Sequence, residues 1–215
     1  GTKADKFAGG KGTAEEPFLI ENGGQLYKMV ADYSNTPVDA KPESHTYFKI
    51  TKDIYLDNKQ WYTINSTAYP SNTNYKKGFS GIVYGDGHTI YALYNNSVSA
   101  TVGLIPVATQ GAEIYDLHLE NGYFPKAEWN VYVGGAFIGS AIGVSNSAPI
   151  IIKGCSVKDF TIASRDASAA FVGYIYSQSV GIYNSYCVNT SISHTNTTDT
   201  KIGSSAFIAV TNGND

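Results

Sequence analysis

The chain contains little of what nucleic-acid-binding and membrane-spanning proteins need. Its 15 lysine and arginine residues include a single arginine, the lysines are scattered, and the formal net charge is -3. A phosphate backbone is bound by clustered basic side chains, so this charge pattern argues against a nucleic acid partner. No apolar run approaches the roughly 18 residues of a membrane-spanning helix. We therefore expect no nucleic acid partner and no membrane span in this chain.

Residue types that favour helix bundles are also scarce. There is one methionine and leucines are few, whereas the 215 residues include 17 tyrosines and 22 glycines, and only 15% are charged. Aromatic, β-branched and turn-forming residues suit pleated strands and tight corners. This composition predicts an all-β protein with few helices.

Two apolar patterns repeat along the second half of the chain. The first places an isoleucine ahead of three apolar or small residues at identical offsets, and the second is a short apolar tetrapeptide that recurs about every 33 to 36 residues. Repeats of this length are typical of solenoids. The copies are Ile114, Leu117, Leu119 and Phe124; Ile152, Cys155, Val157 and Ile162; Ile182, Ser185, Cys187 and Ile192; and residues 103–106, 136–139, 170–173 and 206–209.

Each repeat is too small to close a core alone, so it must stack on its neighbours. The repeats lack helical periodicity, and the segments between them are too short and polar for crossover helices, which favours parallel coils. An antiparallel sandwich is the alternative, and it would show hairpin turns about every 8 to 12 residues. We predict a right-handed parallel β-helix (solenoid) of about six to seven coils with a short N-terminal capping helix.

The N-terminal region departs from the repeat. Leu19 and Ile20 indicate a strand, helical spacing of apolar residues within 24–33 indicates a short amphipathic helix, and 34–46 is rich in turn formers. We expect one β-helix domain over 1–215, with 1–46 as strand, capping helix and loop and 47–215 as stacked coils. A second polar loop is expected from Asn65 to Lys77. Because no polar cap follows the last apolar strand, we also expect a fragment of a longer modular protein.

The first half of the chain contains several short motifs rich in glycine, aromatic and apolar residues. They are Phe7-x-Gly9-Gly10-x-Gly12-Thr13, Pro17-Phe18-x-Ile20, Tyr47-Phe48-x-Ile50, Asp53-Ile54-x-Leu56 and Gly85-Asp86-Gly87-His88-Thr89-Ile90. Together these motifs resemble bacterial surface or secreted β-helix proteins with GLUG-type repeats. The resemblance implies an exported protein at the cell surface or outside the cell, in which such units stand beside adhesin-like, protease or carbohydrate-active modules. It carries no catalytic motif, and it implies turn-forming roles for the glycines and Asp86.

Parallel β-helices also serve as scaffolds for polysaccharide lyases and glycoside hydrolases, which need a base beside carboxylates or a carboxylate pair. The candidates for such groups are Arg165 with Asp166, near Lys158 and Asp159, and the carboxylates Asp86, Asp116 and Glu120.

Structural roles account for these candidates better than catalysis does. Asp86 lies in a Gly-Asp-Gly turn, and Asp116 occupies a position that recurs as Gly154 and Asn184, as a bend residue would. The histidines share no spacing typical of a metal cage or a catalytic triad. They are His45, His88, His118 and His194. We expect no catalytic residue, no metal and no cofactor. A weak catalytic site near Arg165 or Asp116 is kept as the alternative.

A tyrosine or lysine follows a core isoleucine at four positions. Consecutive side chains of a strand face opposite sides, so these four point outward, and coils stacked about 4.8 Å apart would align them as a ladder. Exposed aromatic rows bind sugar rings, although tyrosine also suits any outer face that needs a wet hydroxyl. The candidate ligand-binding residues are Tyr91, Tyr115, Lys153 and Tyr183, with Tyr94, Tyr132, Tyr174 and Tyr176 as further candidates whose facing the pattern does not determine.

The two cysteines align one repeat apart but out of register, because Cys155 matches Ser185 and Cys187 matches Val157. Such a diagonal separates the Cα atoms by about 8 Å, which is too far for a disulfide. We expect two free, inward-facing thiols that act as small hydrophobic residues.

The hypothesis that follows is a non-catalytic extracellular β-helix module of a bacterial surface protein, for adhesion, spacing or ligand display. Its partners would be a glycan or a host or cell-surface ligand and adjoining modules of the same polypeptide. The alternative is a carbohydrate-binding β-helix that uses the tyrosine ladder, or a polysaccharide lyase or glycoside hydrolase.

Overall fold

The chain winds into a parallel β-helix, in which strands of successive coils pair side by side. A computed structural model describes residues 1–40, 45–62, 76–96, 101–125, 133–144, 147–196 and 203–212. Within those ranges each of five parallel sheets takes one strand from each coil that reaches it. The all-β solenoid class predicted from the repeats is therefore confirmed.

The bounds of the strands follow the sheets. The first sheet contains β1 (Phe18–Ile20), β3 (Tyr47–Ile50), β6 (Ile82–Tyr84), β10 (Glu113–Tyr115), β15 (Ile150–Lys153) and β20 (Val180–Tyr183). The second contains β4 (Ile54–Tyr55), β7 (Thr89–Tyr91), β11 (His118–Glu120), β16 (Ser156–Lys158) and β21 (Tyr186–Val188). The third contains β12 (Tyr123–Phe124), β17 (Thr161–Ser164) and β22 (Ser191–His194). The fourth contains β8 (Thr101–Val102), β13 (Val133–Gly135), β18 (Ala167–Ala169) and β23 (Gly203–Ser205), and the fifth contains β9 (Ile105–Ala108), β14 (Ile138–Ile142), β19 (Val172–Tyr176) and β24 (Ile208–Asn212).

The β-helix makes about five turns, which is fewer than the six to seven that we expected. The difference arises at the N-terminus. Strand β1 leads into a helix rather than into a second strand, and the following coil contributes described strands to the first two sheets only. The N-terminal residues thus close the end of the solenoid instead of adding complete coils.

The repeated isoleucines stack in one column, as the equal offsets predicted. Ile114 pairs in register with Ile152, and Ile152 pairs with Ile182, in parallel strands. The later positions of the pattern form two further columns, whose members are Leu119, Val157 and Cys187, and Phe124, Ile162 and Ile192. Burial of these columns along the axis gives the solenoid a continuous apolar core.

The N-terminal end of the core is covered by helix α1 (Gly23–Tyr33). Asn22 caps the helix by accepting a hydrogen bond from the Gln25 backbone, 3.1 Å away, and the Gln25 side chain accepts in return from the Glu21 backbone. Leu26 and Met29, at helical spacing, are completely buried. The predicted capping helix is confirmed, and no helix of the described residues is long and apolar enough to cross a membrane.

The segment predicted as a loop over 34–46 contains a short strand. There β2 (Thr36–Pro37) pairs with β5 (Lys77–Gly78), and this pairing is antiparallel. Residues 41–44, and most of the second loop predicted up to Lys77, lie outside the described residues. Pairing of two polar segments far apart in sequence leaves no local pattern, which is why the loop prediction missed it.

Corners of the coils use residues in the left-handed backbone region. Asp116, at the turn that follows the first sheet, has a φ of 48°, and the equivalent positions of the next coils are Gly154 at 70° and Asn184 at 48°. Asp86, one residue further along the longer turn of the preceding coil, has a φ of 55°. Aspartate, asparagine and glycine tolerate this conformation best. The bend role predicted for these positions is confirmed.

Both cysteines are free, as predicted. Cys155 is buried and Cys187 is half-buried against the core. Cys187 pairs in register with Val157 rather than with Cys155, so the predicted diagonal is also correct.

Candidate functional site

The outer face of the first sheet carries one continuous column of long polar and aromatic side chains. The position after the buried residue of each strand holds Tyr84 in β6 and Tyr115 in β10, and these two residues are in register. The neighbouring core positions, such as Ile114 and Ile152, point inward and are almost completely buried. We call the outward set the tyrosine–lysine column, which comprises Lys49, Tyr84, Tyr115, Lys153 and Tyr183.

Three of the four candidate residues share this column, and Tyr91 does not. Tyr91 lies in the second sheet, where it is in register with Tyr55 on one side and Glu120 on the other. Its core neighbour, Ile90, belongs to that second sheet as well. The expected ladder of four residues is therefore wrong for Tyr91. Its position in the column is occupied by Tyr84, which follows a valine rather than an isoleucine.

The tyrosines of the early coils stack on one another. The ring centroids of Tyr84 and Tyr115 lie 5.7 Å apart with an interplanar angle of 22°, and Tyr47 extends the stack at 6.5 Å from Tyr84. Offset stacking stabilises such rings, but each ring then covers part of its neighbour's face. A ligand that packs on an aromatic face therefore finds little open surface in this part of the column.

Tyr115 is also tied down through its hydroxyl, which donates a 2.6 Å hydrogen bond to the Glu113 carboxylate. Burial, reinforced by the hydrogen bond to this carboxylate, raises the pKa of Tyr115 well above its usual value of about 10. The phenol therefore stays neutral across the physiological range. The Tyr115 hydroxyl and the Glu113 carboxylate thus bond each other on the surface of the sheet.

Tyr183, at the C-terminal end of the column, is arranged differently. Its ring reaches back along the strand over Gly181, so that a Cβ added at position 181 would lie 2.5 Å from Cε2 and 2.6 Å from Oη. The ring lies along the strand rather than projecting from it, and the residue remains 53% exposed. Tyr183 thus presents an open aromatic surface that the stacked tyrosines lack.

Lys153 stands beside this surface. It is in register with Tyr183 in the adjacent strand and its side chain is exposed. Within the part of the chain that the structure describes, Lys153 has no carboxylate within ion-pair distance, whereas Lys158 of the second sheet is 3.1 Å from Glu120. The open ring and the exposed ammonium group together form the candidate binding site.

A groove of about 370 Å³ at the N-terminal end offers a second exposed tyrosine, Tyr55. One side of its ring is stacked on Tyr91, with centroids 4.7 Å apart and planes at 8°. The charged side chains of the groove are paired with each other, because Lys59 lies 3.2 Å from Asp57. This groove has an aromatic wall, but its lysine is paired, and the amino group of Gly1, which also lines the groove, donates to the Gln60 carbonyl.

The arginine–aspartate pair is a buried structural contact. The guanidinium of Arg165 bonds both oxygens of Asp166, at 3.0 and 2.8 Å, and the Asn196 amide donates to the same carboxylate at 2.8 Å. The Asp166 side chain is only 3% exposed. A buried carboxylate with this many donors is held in place at a corner and is closed to a substrate.

The other candidate carboxylates are also engaged. Asp86 pairs with Lys49 at 3.0 Å, and Lys158 pairs with Glu120 and, at 3.6 Å, with Asp159. Asp116, at the corner described above, lies against Gly154 of the next coil. Each of these carboxylates is thus accounted for by an ion pair or by a turn.

The histidines make contacts that sequence spacing did not predict. His118 Nδ1 lies 2.8 Å from the Ser156 hydroxyl in the next coil, and His194 Nδ1 lies 2.8 Å from Ser204. Ser156 is only 5% exposed, so its hydroxyl is closed to a substrate. His118 and Ser156 are in register in paired strands, and this relationship is not visible in their spacing along the sequence. Among the described residues no three metal-ligating side chains come together.

The additional tyrosine candidates do not extend the site. Tyr94 is half-buried and stacks on Tyr123 with centroids 6.2 Å apart. Tyr174 is 1% exposed, and Tyr176 packs against a small apolar cluster. Tyr132 lies outside the described residues.

Comparison with known proteins gives a weak structural match and identifies no family. No family model and no curated protein matches the chain. The crystal structure of a putative immunoglobulin A1 protease from Bacteroides ovatus aligns over 96% of this chain and 87% of that chain, with 13% identity and a TM-score of 0.37. Similarity this low carries no information about activity, and the resemblance to GLUG-type proteins rests on the motif residues alone.

Proposed function

We propose that this chain is a non-catalytic β-helix module that binds carbohydrate on the outer face of its first sheet. The observation that carries the proposal is the open ring of Tyr183, held along the strand over Gly181 and flanked by Lys153. The C–H groups of a pyranose pack well on an exposed aromatic face, and polar groups at its edge fix the orientation of the sugar. A rigid sheet is a suitable base for such a site because its side chains keep a fixed spacing.

The biological setting belongs to the same proposal. The motif resemblance supports an exported bacterial protein, at the cell surface or outside the cell, in which this module serves adhesion or ligand display beside other modules. A solenoid fits that role, because stacked coils make an extended surface that can present a binding site at a distance from an anchor. A lyase or hydrolase is less well supported, because the candidate acids and bases are paired or form turns.

A glycan array tests binding, with the purified chain compared with Tyr183→Ala and with Tyr186→Ala. Tyr186, in the neighbouring second sheet, is 57% exposed and serves as the matched control. We expect binding to fall at least tenfold in Tyr183→Ala and to be unchanged in Tyr186→Ala. Circular dichroism of each variant checks that the fold is kept.

The same glycans should be incubated with the protein and assayed for reducing ends and unsaturated products. We expect no product. Binding to no glycan, or equal loss of binding in both tyrosine variants, would overturn the proposal. Turnover that disappears on substitution of Arg165 or Asp116 would instead establish the enzyme alternative.

A further inference from the structure

We infer that the carbohydrate bound at this site is acidic, with its carboxylate on Lys153 and its ring on Tyr183. This inference rests on the proposed function and adds the chemical class of the ligand. Neighbouring parallel strands are about 4.8 Å apart, so a sugar that packs on Tyr183 extends to the adjacent strand that carries Lys153. A uronic acid bears its carboxylate on the ring, at the edge of the sugar, where it can meet that ammonium group.

Of the two lysines in the column, Lys153 is the one that can pair with an anion. Lys49, at the other end, pairs with Asp86 at 3.0 Å. Glu113 lies one coil before Lys153 on the same side of the sheet, but its carboxylate accepts the Tyr115 hydroxyl rather than forming an ion pair with Lys153. Among the described residues, Lys153 therefore has no carboxylate within ion-pair distance.

Gly181 determines the position of the aromatic surface. The corresponding outward position holds Ile82, Glu113 and Ile151 in the preceding strands, all with side chains that stand between the strand and any ring above it. A side chain at 181 would collide with the Tyr183 ring and push it away from the strand. Gly181→Val is therefore expected to displace the Tyr183 ring, although neither Tyr183 nor Lys153 is itself replaced.

Isothermal titration with acidic oligosaccharides tests the inference. The probes are oligomers of galacturonate and of a glucuronate-containing chain, each compared with its methyl ester, which keeps the ring but removes the charge. We expect the acid to bind at least tenfold more tightly than the ester, and this advantage to shrink as ionic strength rises, because the lysine is exposed. Lys153→Gln should abolish the preference, and Gly181→Val should weaken binding of acid and ester alike.

Lys158→Gln is the matched control, since Lys158 is also exposed but pairs with Glu120. Equal binding of acid and ester by the unmodified chain, or a preference that survives Lys153→Gln, would overturn the inference while leaving neutral carbohydrate binding intact. Failure of all acidic and neutral probes to bind would overturn the proposed function as well. Loss of the preference in Lys158→Gln would place the anion on the second sheet and would also contradict the inference.

Discussion

The carboxylate of Asp116 lies directly against Gly154, the residue at the equivalent corner of the next coil, in the space that a Cβ at position 154 would occupy. Gly154 also has a φ of 70°, in the left-handed region. Stacked corners thus restrict each other's side chains. The corner positions are coupled along the axis even though they are far apart in sequence.

Gly154→Ala is expected to lower the free energy of unfolding by about 2 kcal/mol, from backbone strain and the collision with Asp116 together. Urea unfolding followed by circular dichroism measures this loss. Adding Asp116→Gly should recover the part that comes from the collision. If Gly154→Ala left the free energy of unfolding unchanged, the corners would not be stacked in this way.

Ile152 is flanked by Ile114 and Ile182 in the central core column and is completely buried. Ile152→Ala should therefore cost about 2 to 5 kcal/mol of unfolding free energy, through lost burial and the cavity that remains. Ile182→Ala is the matched control in the same column. It is partly exposed, so it should cost clearly less. Equal costs, or a larger cost at 182, would contradict the inward stacking.

The lowered pKa of Asp53 makes the stability of the fold depend on pH in the acid range. The Thr89 backbone N–H, 2.9 Å away, and the His88 ring at 3.2 Å lower the pKa of Asp53 below its usual value of about 3.8. A lowered pKa in the folded state stabilises the fold above the unfolded pKa, and this contribution is lost as the pH falls through the folded value. The side chain is 45% exposed, so the effect should stay below about 1 kcal/mol.

Thermal unfolding of the unmodified chain and of Asp53→Asn measures this contribution. The unmodified chain should be the more stable at pH 7, and the difference between the two proteins should shrink steadily as the pH falls below the usual pKa of about 3.8. A difference that stays the same on acidification would rule out the titration of Asp53 as its cause.

The two thiols should differ in reactivity. Burial raises the pKa of Cys155 to about 11, whereas Cys187 is half-buried in the last coil. Since the thiolate is the reactive form, iodoacetamide at pH 8 should label Cys187 well before Cys155. Mass spectrometry of timed samples gives both rates, and labelling in urea, where both cysteines are exposed, is the control. Faster labelling of Cys155 in the folded chain would contradict its inward position.

The repeat offsets were sufficient to predict the core columns and the free cysteines, because stacking in a solenoid converts equal spacing directly into register. The same reasoning failed at Tyr91. It assumed that every outward aromatic follows an isoleucine of the same sheet, whereas the core residue of β6 is Val83 and Ile90 belongs to the second sheet. The longer corner at residues 85–88 separates these two strands and breaks the spacing on which the comparison depended.

The role of Gly181 could not be predicted from the sequence. A glycine within a strand commonly indicates a bulge or a close approach, but which side chain lies over it depends on rotamers that spacing does not specify. The contact between His118 and Ser156 is similar, since it joins residues 38 positions apart through register alone. Pairings between coils become visible only once the alignment of the strands is known.

A crystal structure of the chain soaked with a galacturonate oligomer tests the central claim most directly. The account predicts a sugar ring packed on the open face of Tyr183, with its carboxylate about 3 Å from the Lys153 ammonium. An oligomer bound elsewhere, for instance in the groove beside Tyr55 or along the stacked rings of Tyr84 and Tyr115, would contradict it.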